Sequence, residues 1–368
     1  MINIPKKEIR HFTDDIFKSI HEHRWLMSII IFYAAMALAI HIKLTKNYKS
    51  VLVIEVFNIY MLIAGLMLTF SVYTIYVMLF IRPQKLIEFL VKALQLHCTR
   101  EKLLNCLPIV IFLPLFISSF TTFKVAIPII HPYAWDKRFA QWDSILHMGV
   151  EPWRWLQPYL AYPLITLIIN FFYQLWFFIT YAVIYYLGFS TKNSKLRMQF
   201  LMSFVLSWIF LGTVFATIFS SVGPCYYGYL FPEKNIYAPL MNYLNETNQH
   251  VPIWALDVQA MLWNGLNNKN QFYSFGISAM PSMHVATAVL LTLWAWNTHQ
   301  TLGIAFIIFT VIIMLGSIHL AWHYALDGYV AGIGSYAIWH GVGWMISKSK
   351  QSEAIRHSSI DNSIIYLT

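Results

Sequence analysis

Two short stretches of an otherwise apolar chain carry side chains that can do chemistry together: SAMPSMH at residues 278–284 and HYALD at 323–327. In HYALD, His323 and Asp327 are one helical turn apart, which places both on one face. A carboxylate there accepts the hydrogen of one imidazole nitrogen, fixes the tautomer and leaves the other nitrogen as a nucleophile or base. In SAMPSMH, Pro281 suits the first turn of a helix because it has no amide hydrogen to leave unpaired. The amides of Ser282, Met283 and His284 then point outward at a helix N-terminus, a ready anion site to which Ser282 adds a hydroxyl donor. Together the stretches read as a phosphate cradle beside an activated histidine. Each also has a plainer reading: Pro281 merely starting a helix with an interfacial His284, and His323–Asp327 as a structural pair. A third alternative takes His319, His323 and Asp327 as a zinc-binding face. Against it, residues 302–346 as one helix would run ~67 Å at ~1.5 Å per residue, so the chain must turn near 318–322 and His319 need not share a face with His323.

The elements that position these residues follow from composition. The chain has 368 residues, 58% apolar and only 11% charged, where a soluble domain is about 25% charged. This is the composition of an integral membrane protein, an all-α polytopic bundle. With roughly 20 apolar residues needed per crossing, about eight transmembrane helices qualify, at 25–42, 55–81, 107–127, 161–187, 199–221, 281–298, 302–319 and 323–346. Glu55 sits near an interface, because a carboxylate at the bilayer centre is costly. Cys98, Cys106 and Cys225 are too few and too scattered for a disulfide framework or a four-ligand zinc site. The net charge of +9 reflects cytoplasmic loops meeting anionic lipid rather than a nucleic-acid partner.

Lysine and arginine also set the sidedness. The N-terminal segment (Lys6, Lys7, Arg10, Lys18, Arg24) and the loop after the second span (Arg82, Lys85, Lys92, Arg100, Lys102) are basic and therefore cytoplasmic. Alternation puts Lys192, Lys195 and Arg197 on that side, and likewise the tail with Lys348, Lys350 and Arg356. The long segment 223–280, with only Lys234 and Lys269, lies outside, together with 131–160. His284, His323 and Asp327 all fall on this extracytoplasmic face, whether periplasm, cell exterior or organelle lumen. The outer loops are rich in tryptophan, tyrosine and proline, as the headgroup layer favours, and 139–150 suits a helix lying in the interface. The sequon Asn245-Glu246-Thr247 lies in an outer loop. No internal repeat or flexible linker divides the chain.

At these residues the sequence resembles the type 2 phosphatidic acid phosphatase superfamily. The family's Pro-Ser-Gly-His block stands here as Pro281-Ser282-Met283-His284, and its second block ends here in His323 and Asp327, with 38 residues between the two histidines. The resemblance implies a six-helix catalytic core over 107–346, preceded at 1–106 by a cytoplasmic N-terminus and two accessory helices and followed by a cytoplasmic tail at 347–368. It also implies that His323 attacks phosphorus, that Asp327 orients it and that His284 protonates the leaving alcohol, with no metal or other cofactor. Met283 replaces the usual glycine, Gly316-Ser317 stands where a Ser-Arg pair would, and the lysine-to-Arg-Pro block is missing. Those arginines would bind a dianionic phosphate, so their absence favours a phosphodiester. With FSSVGPCYYG and WDKRFAQWD, the pattern looks like the branch containing inositol phosphorylceramide synthase. The expected activity is therefore transfer of a phosphoryl headgroup between lipid substrates; the alternatives are a water-using lipid phosphatase or pyrophosphatase and a non-enzymatic membrane protein. Arg154, Lys137 and Arg138 are candidates to neutralise phosphoryl oxygens, and Asp136 and Asp143 to hydrogen-bond a polyol headgroup.

Overall fold

The computed structural model describes residues 6–45, 73–97, 99–267 and 276–365, with isolated positions between 60 and 71. Glu55, Cys98, Lys269 and most of the second expected span lie outside the described residues. The described residues form an all-helical bundle without strands. The helices are α1 (Lys6–Thr45), α2 (Leu86–His97), α3 (Arg100–Ile130), α4 (Asp136–Leu146), α5 (Pro152–Leu160) and α6 (Pro163–Phe189). They continue with α7 (Ser194–Ile209), α8 (Ala238–Asn248), α9 (Trp254–Asn267), α10 (Met283–Trp296), α11 (Gln300–His319) and α12 (Ala325–Ile365). A π-turn at Phe210–Phe215 extends α7 to Ala216–Ile218.

Among the described residues, five helices are long and apolar enough to cross a membrane: Asp14–Lys43, Arg100–Ile130, Pro163–Phe189, Ser194–Ile218 and Gln300–His319. The protein is therefore an integral membrane protein. The two remaining spans expected after residue 107 are also helices, but of a different character. Helix α10 has 14 residues, ~21 Å, less than the ~30 Å hydrocarbon core. Helix α12 is long but dilutes its hydropathy with glycines used for close packing, as small residues are between membrane helices. A Cβ at Gly328 would run into the Met314 sulfur and one at Gly334 into Leu211.

The ends are set locally. Pro163 opens α6 and Pro152 opens α5, positions where a missing amide hydrogen costs nothing. Asn193, at φ 46°, caps α7 by accepting from the Leu196 amide at 3.3 Å. Between α3 and α7 the core is aromatic, with Phe120 edge-on to Trp208 at 4.6 Å and Phe116 against Phe204 at 6.3 Å. Helix α1 shares that core through Leu26, Ile30, Tyr33 and Ala37. It is tied to α7 by Tyr33–Thr213 at 2.7 Å and by the Glu22–Arg197 ion pair at 2.9 Å. At that same end of the bundle, the Asn105 side-chain amide donates to the Gly188 and Ser190 carbonyls.

Candidate active site

At the opposite end, three segments are laced together by main-chain hydrogen bonds. The Ala279 amide donates to the Ser221 carbonyl at 3.0 Å, the Cys225 amide to the Ala321 carbonyl at 2.8 Å, and the Ser282 amide to the Asp327 carbonyl at 3.2 Å. Helix α11 ends at His319, and the chain reverses through Ala321, at φ 60°, before α12 begins at Ala325. The His323 amide closes this reversal on the Ser317 carbonyl at 2.9 Å. Gly223, at φ 94°, is required where the segments meet, since a Cβ there would lie 2.6 Å from the Trp322 carbonyl oxygen. His319 belongs to the far side of the turn and hydrogen-bonds Thr166 Oγ1 at 2.9 Å.

This lacing orients His323. Its Nδ1 lies 2.8 Å from the Ala279 carbonyl oxygen and 3.3 Å from Asp327 Oδ2. A carbonyl oxygen only accepts, so Nδ1 carries the hydrogen and Nε2, with no hydrogen bond to a described residue, keeps its lone pair. The His–Asp pair spans the start of α12 rather than two turns of it. Asp327 is wholly buried, and its Oδ2 also accepts the Tyr324 amide at 3.0 Å, the reach-back bond of a capping box. His284, in the first turn of α10, stacks on Tyr173 at 4.3 Å and leans on Trp176 at 4.3 Å, both from α6. The two imidazole rings lie 6.3 Å apart between centroids, tilted by 60° to one another.

Both histidines open onto one cavity of about 490 Å³. Its lining is largely aromatic and aliphatic. Lys124 of α3 is the one lysine or arginine among the described residues that line it. It forms no ion pair with a described residue. The sequence offered a signal for it: a lysine within an apolar span is expensive and marks a site by default.

The other nominated residues serve differently. Ser282 is fully buried and does not line the cavity; its Oγ caps α10 toward the Val285 amide at 3.5 Å. Lys137, Arg138 and Arg154 are exposed and lie over the rings of Phe231, Trp135 and Trp153 at 4.5, 4.9 and 4.6 Å. Arg154 is also paired with Glu151 at 2.6 Å. None of the three lines the cavity.

Asp136 and Asp143 are committed to the scaffold rather than free for a headgroup. Helix α4 starts three residues before the interfacial helix expected at 139–150 and ends at Leu146. It turns Trp142, Ile145 and Leu146 outward and buries Asp136, Phe139, Ala140 and Asp143. Asp136 Oδ1 accepts the Gly223 amide at 2.9 Å and the Tyr324 hydroxyl at 2.9 Å. Asp143 accepts the Ala325 and Leu326 amides at 2.7 and 2.8 Å, two of the orphan donors at the start of α12. Burial pushes the Asp143 carboxyl up to about 6 against the opposing pull of those amides, and raises Asp136 as well. Asp143→Ala leaves two buried amides unpaired, at about 1–3 kcal/mol each. Thermal denaturation in detergent should show a clear loss of Tm, with Asp143→Asn intermediate; a variant as stable as the wild type would remove the capping role.

A model of the PAP2 superfamily matches residues 137–341, from α4 into α12. No curated protein and no solved structure gives a significant match.

Proposed function

Because the chain belongs to the PAP2 superfamily, with activity of the lipid phosphatase and phosphotransferase type, we propose that it moves a phosphoryl headgroup from one lipid to another, as inositol phosphorylceramide synthase does. The observation that supports transfer over hydrolysis is the cavity. His284, His323 and Lys124 share it with a wall that is otherwise mostly apolar, a surrounding suited to a lipid alcohol and unfavourable to bulk water. A single cation also matches the single charge of a phosphodiester.

In the first half-reaction, His323 Nε2 attacks phosphorus and the bond from phosphorus to the diacylglycerol oxygen breaks. His284, protonated, gives its proton to the departing alkoxide. The headgroup phosphate is then held on His323, whose Nδ1–H remains on the Ala279 carbonyl and Asp327. In the second, the acceptor lipid's hydroxyl oxygen attacks phosphorus, neutral His284 takes its proton, and the P–N bond breaks to restore the imidazole. Lys124 offsets charge on the non-bridging oxygens as they pass between the rings. The catalytic unit is the core at 107–346, with the first two helices accessory. Its site faces the extracytoplasmic side and both termini face the cytoplasm, a sidedness that rests on the lysine and arginine distribution.

Asp327 holds His323 through the longer of the two Nδ1 contacts. Asp327→Asn therefore keeps the tautomer and removes only the compensating charge. The expected loss is about 10²-fold, short of the ~10⁴-fold found in a serine protease where loss of the carboxylate also releases the tautomer. A measured loss near the larger figure would mean that the Ala279 carbonyl does not hold the ring.

The deciding assay incubates purified protein with labelled phosphatidylinositol and a mixed lipid extract, beside a His323→Ala control. Headgroup label in a new lipid, with diacylglycerol released, supports transfer and identifies the acceptor. Release of the label to water as inositol phosphate alone, with diacylglycerol, makes the chain a hydrolase.

A further inference from the structure

We propose that the cavity below the two histidines is the binding site for one acyl chain of the donor lipid, drawn into the protein interior between α3, α6 and α7 instead of resting against the outside of the bundle. The inference rests on the phosphodiester reading of the site. Lys124, His284 and His323 lie at the cavity's polar end. From there the lining descends α3 from Lys124 to Leu113 and α6 from Tyr173 to Ile184. Each run is eleven residue steps, ~16 Å at ~1.5 Å per step and about half the hydrocarbon thickness. Two helices of opposite direction thus give the same depth.

The lower wall is chemically suited to hydrocarbon. Its two threonine hydroxyls are spent inside their own helices, Thr180 donating to the Trp176 carbonyl at 2.8 Å and Thr121 to the Ile117 carbonyl at 3.0 Å, while the Tyr173 hydroxyl and the Trp176 indole N–H, toward the histidine end, have no hydrogen-bond partner among the described residues. Both threonines therefore satisfy their polar atoms without help from an occupant. Ile117, Ile184 and Phe204 complete the surface. Gly212, in the π-turn, keeps this wall open, because a Cβ there would lie 2.7 Å from the Phe120 ring and 3.1 Å from the Met283 sulfur.

The test is photocrosslinking with a phosphatidylinositol whose palmitoyl chain carries a terminal diazirine, mapped by peptide mass spectrometry on the full chain. Crosslinks at Leu113, Ile117, Ile184 or Phe204 support the assignment. Crosslinks confined to outward residues of the same helices, such as Ile111, Ile168, Phe171 and Val214, overturn it. Thr180→Trp, which fills the shaft midway, is expected to remove the deep crosslinks. It should also lower turnover of a dipalmitoyl donor relative to a dioctanoyl donor by about tenfold or more; an unchanged ratio counts against the cavity. Crosslinking needs no turnover, so a chain found inside a protein that shows no transfer would refute the chemistry and leave the cavity assignment standing.

Discussion

On the proposed chemistry, turnover by His323→Ala should fall at least ~10⁴-fold, the scale expected when a covalent nucleophile is lost. The main-chain lacing of the fold has little reason to respond. The bond from the residue's amide to the Ser317 carbonyl is main chain and survives the change, as do the Ala279–Ser221 and Ser282–Asp327 bonds that hold the neighbouring segments. The side chain contributes the Nδ1 contacts and the free Nε2 alone. Two measurements separate a lost nucleophile from a lost fold: the melting temperature, expected to stay close to the wild type, and covalent labelling of the protein by headgroup-labelled donor, expected to disappear. Residual turnover within tenfold of the wild type would remove His323 from the covalent role.

Lys124→Met should cost about 10²–10³-fold in kcat/KM, the loss seen when one preorganised stabiliser of transition-state charge is removed. Methionine keeps the length and apolar stem of the side chain, so the change is close to a deletion of charge. No other lysine or arginine among the described residues lines the cavity, so none is placed to substitute. Lys124→Arg should recover part of the rate. Arg154→Met should change it little, since that guanidinium lies over Trp153 beside Glu151. If Lys124→Met remained within about threefold of wild type, charge compensation would have to come from elsewhere.

Hydropathy made the long helices legible, because crossing a bilayer demands a run of apolar residues whatever the packing. It placed the third span at 107–127 inside α3 and the fourth at 161–187 almost residue for residue on α6. It overestimated α10 by two residues at each end, and treated 223–280 as a loop although α8 and α9 fold there. Those helices cover the core from one side only, so no long apolar run announces them. The pairing of His323 with Asp327 was readable from local spacing. The carbonyl of Ala279 that shares the imidazole was not, because it lies 44 residues away. Asp136 and Asp143 look like headgroup ligands in the sequence because carboxylates in an aromatic loop suit a polyol. Only the contacts with the start of α12, Tyr324 and Gly223 show that their partners are buried amides and a tyrosine hydroxyl.

Besides the longer contact to the Asp327 side chain, the bonds that align His323 run to main-chain atoms of Ser317 and Ala279, and the neighbouring segment is anchored through the main chain of Ser282 and Asp327. The cavity, by contrast, is faced with side chains. Alignment and selectivity are thus encoded in separable parts of the molecule. On the proposed reading, substitutions along the cavity wall would change which lipid is accepted while the His323 imidazole keeps its bearing, so new substrate preferences would arise by small steps without first passing through an inactive ancestor.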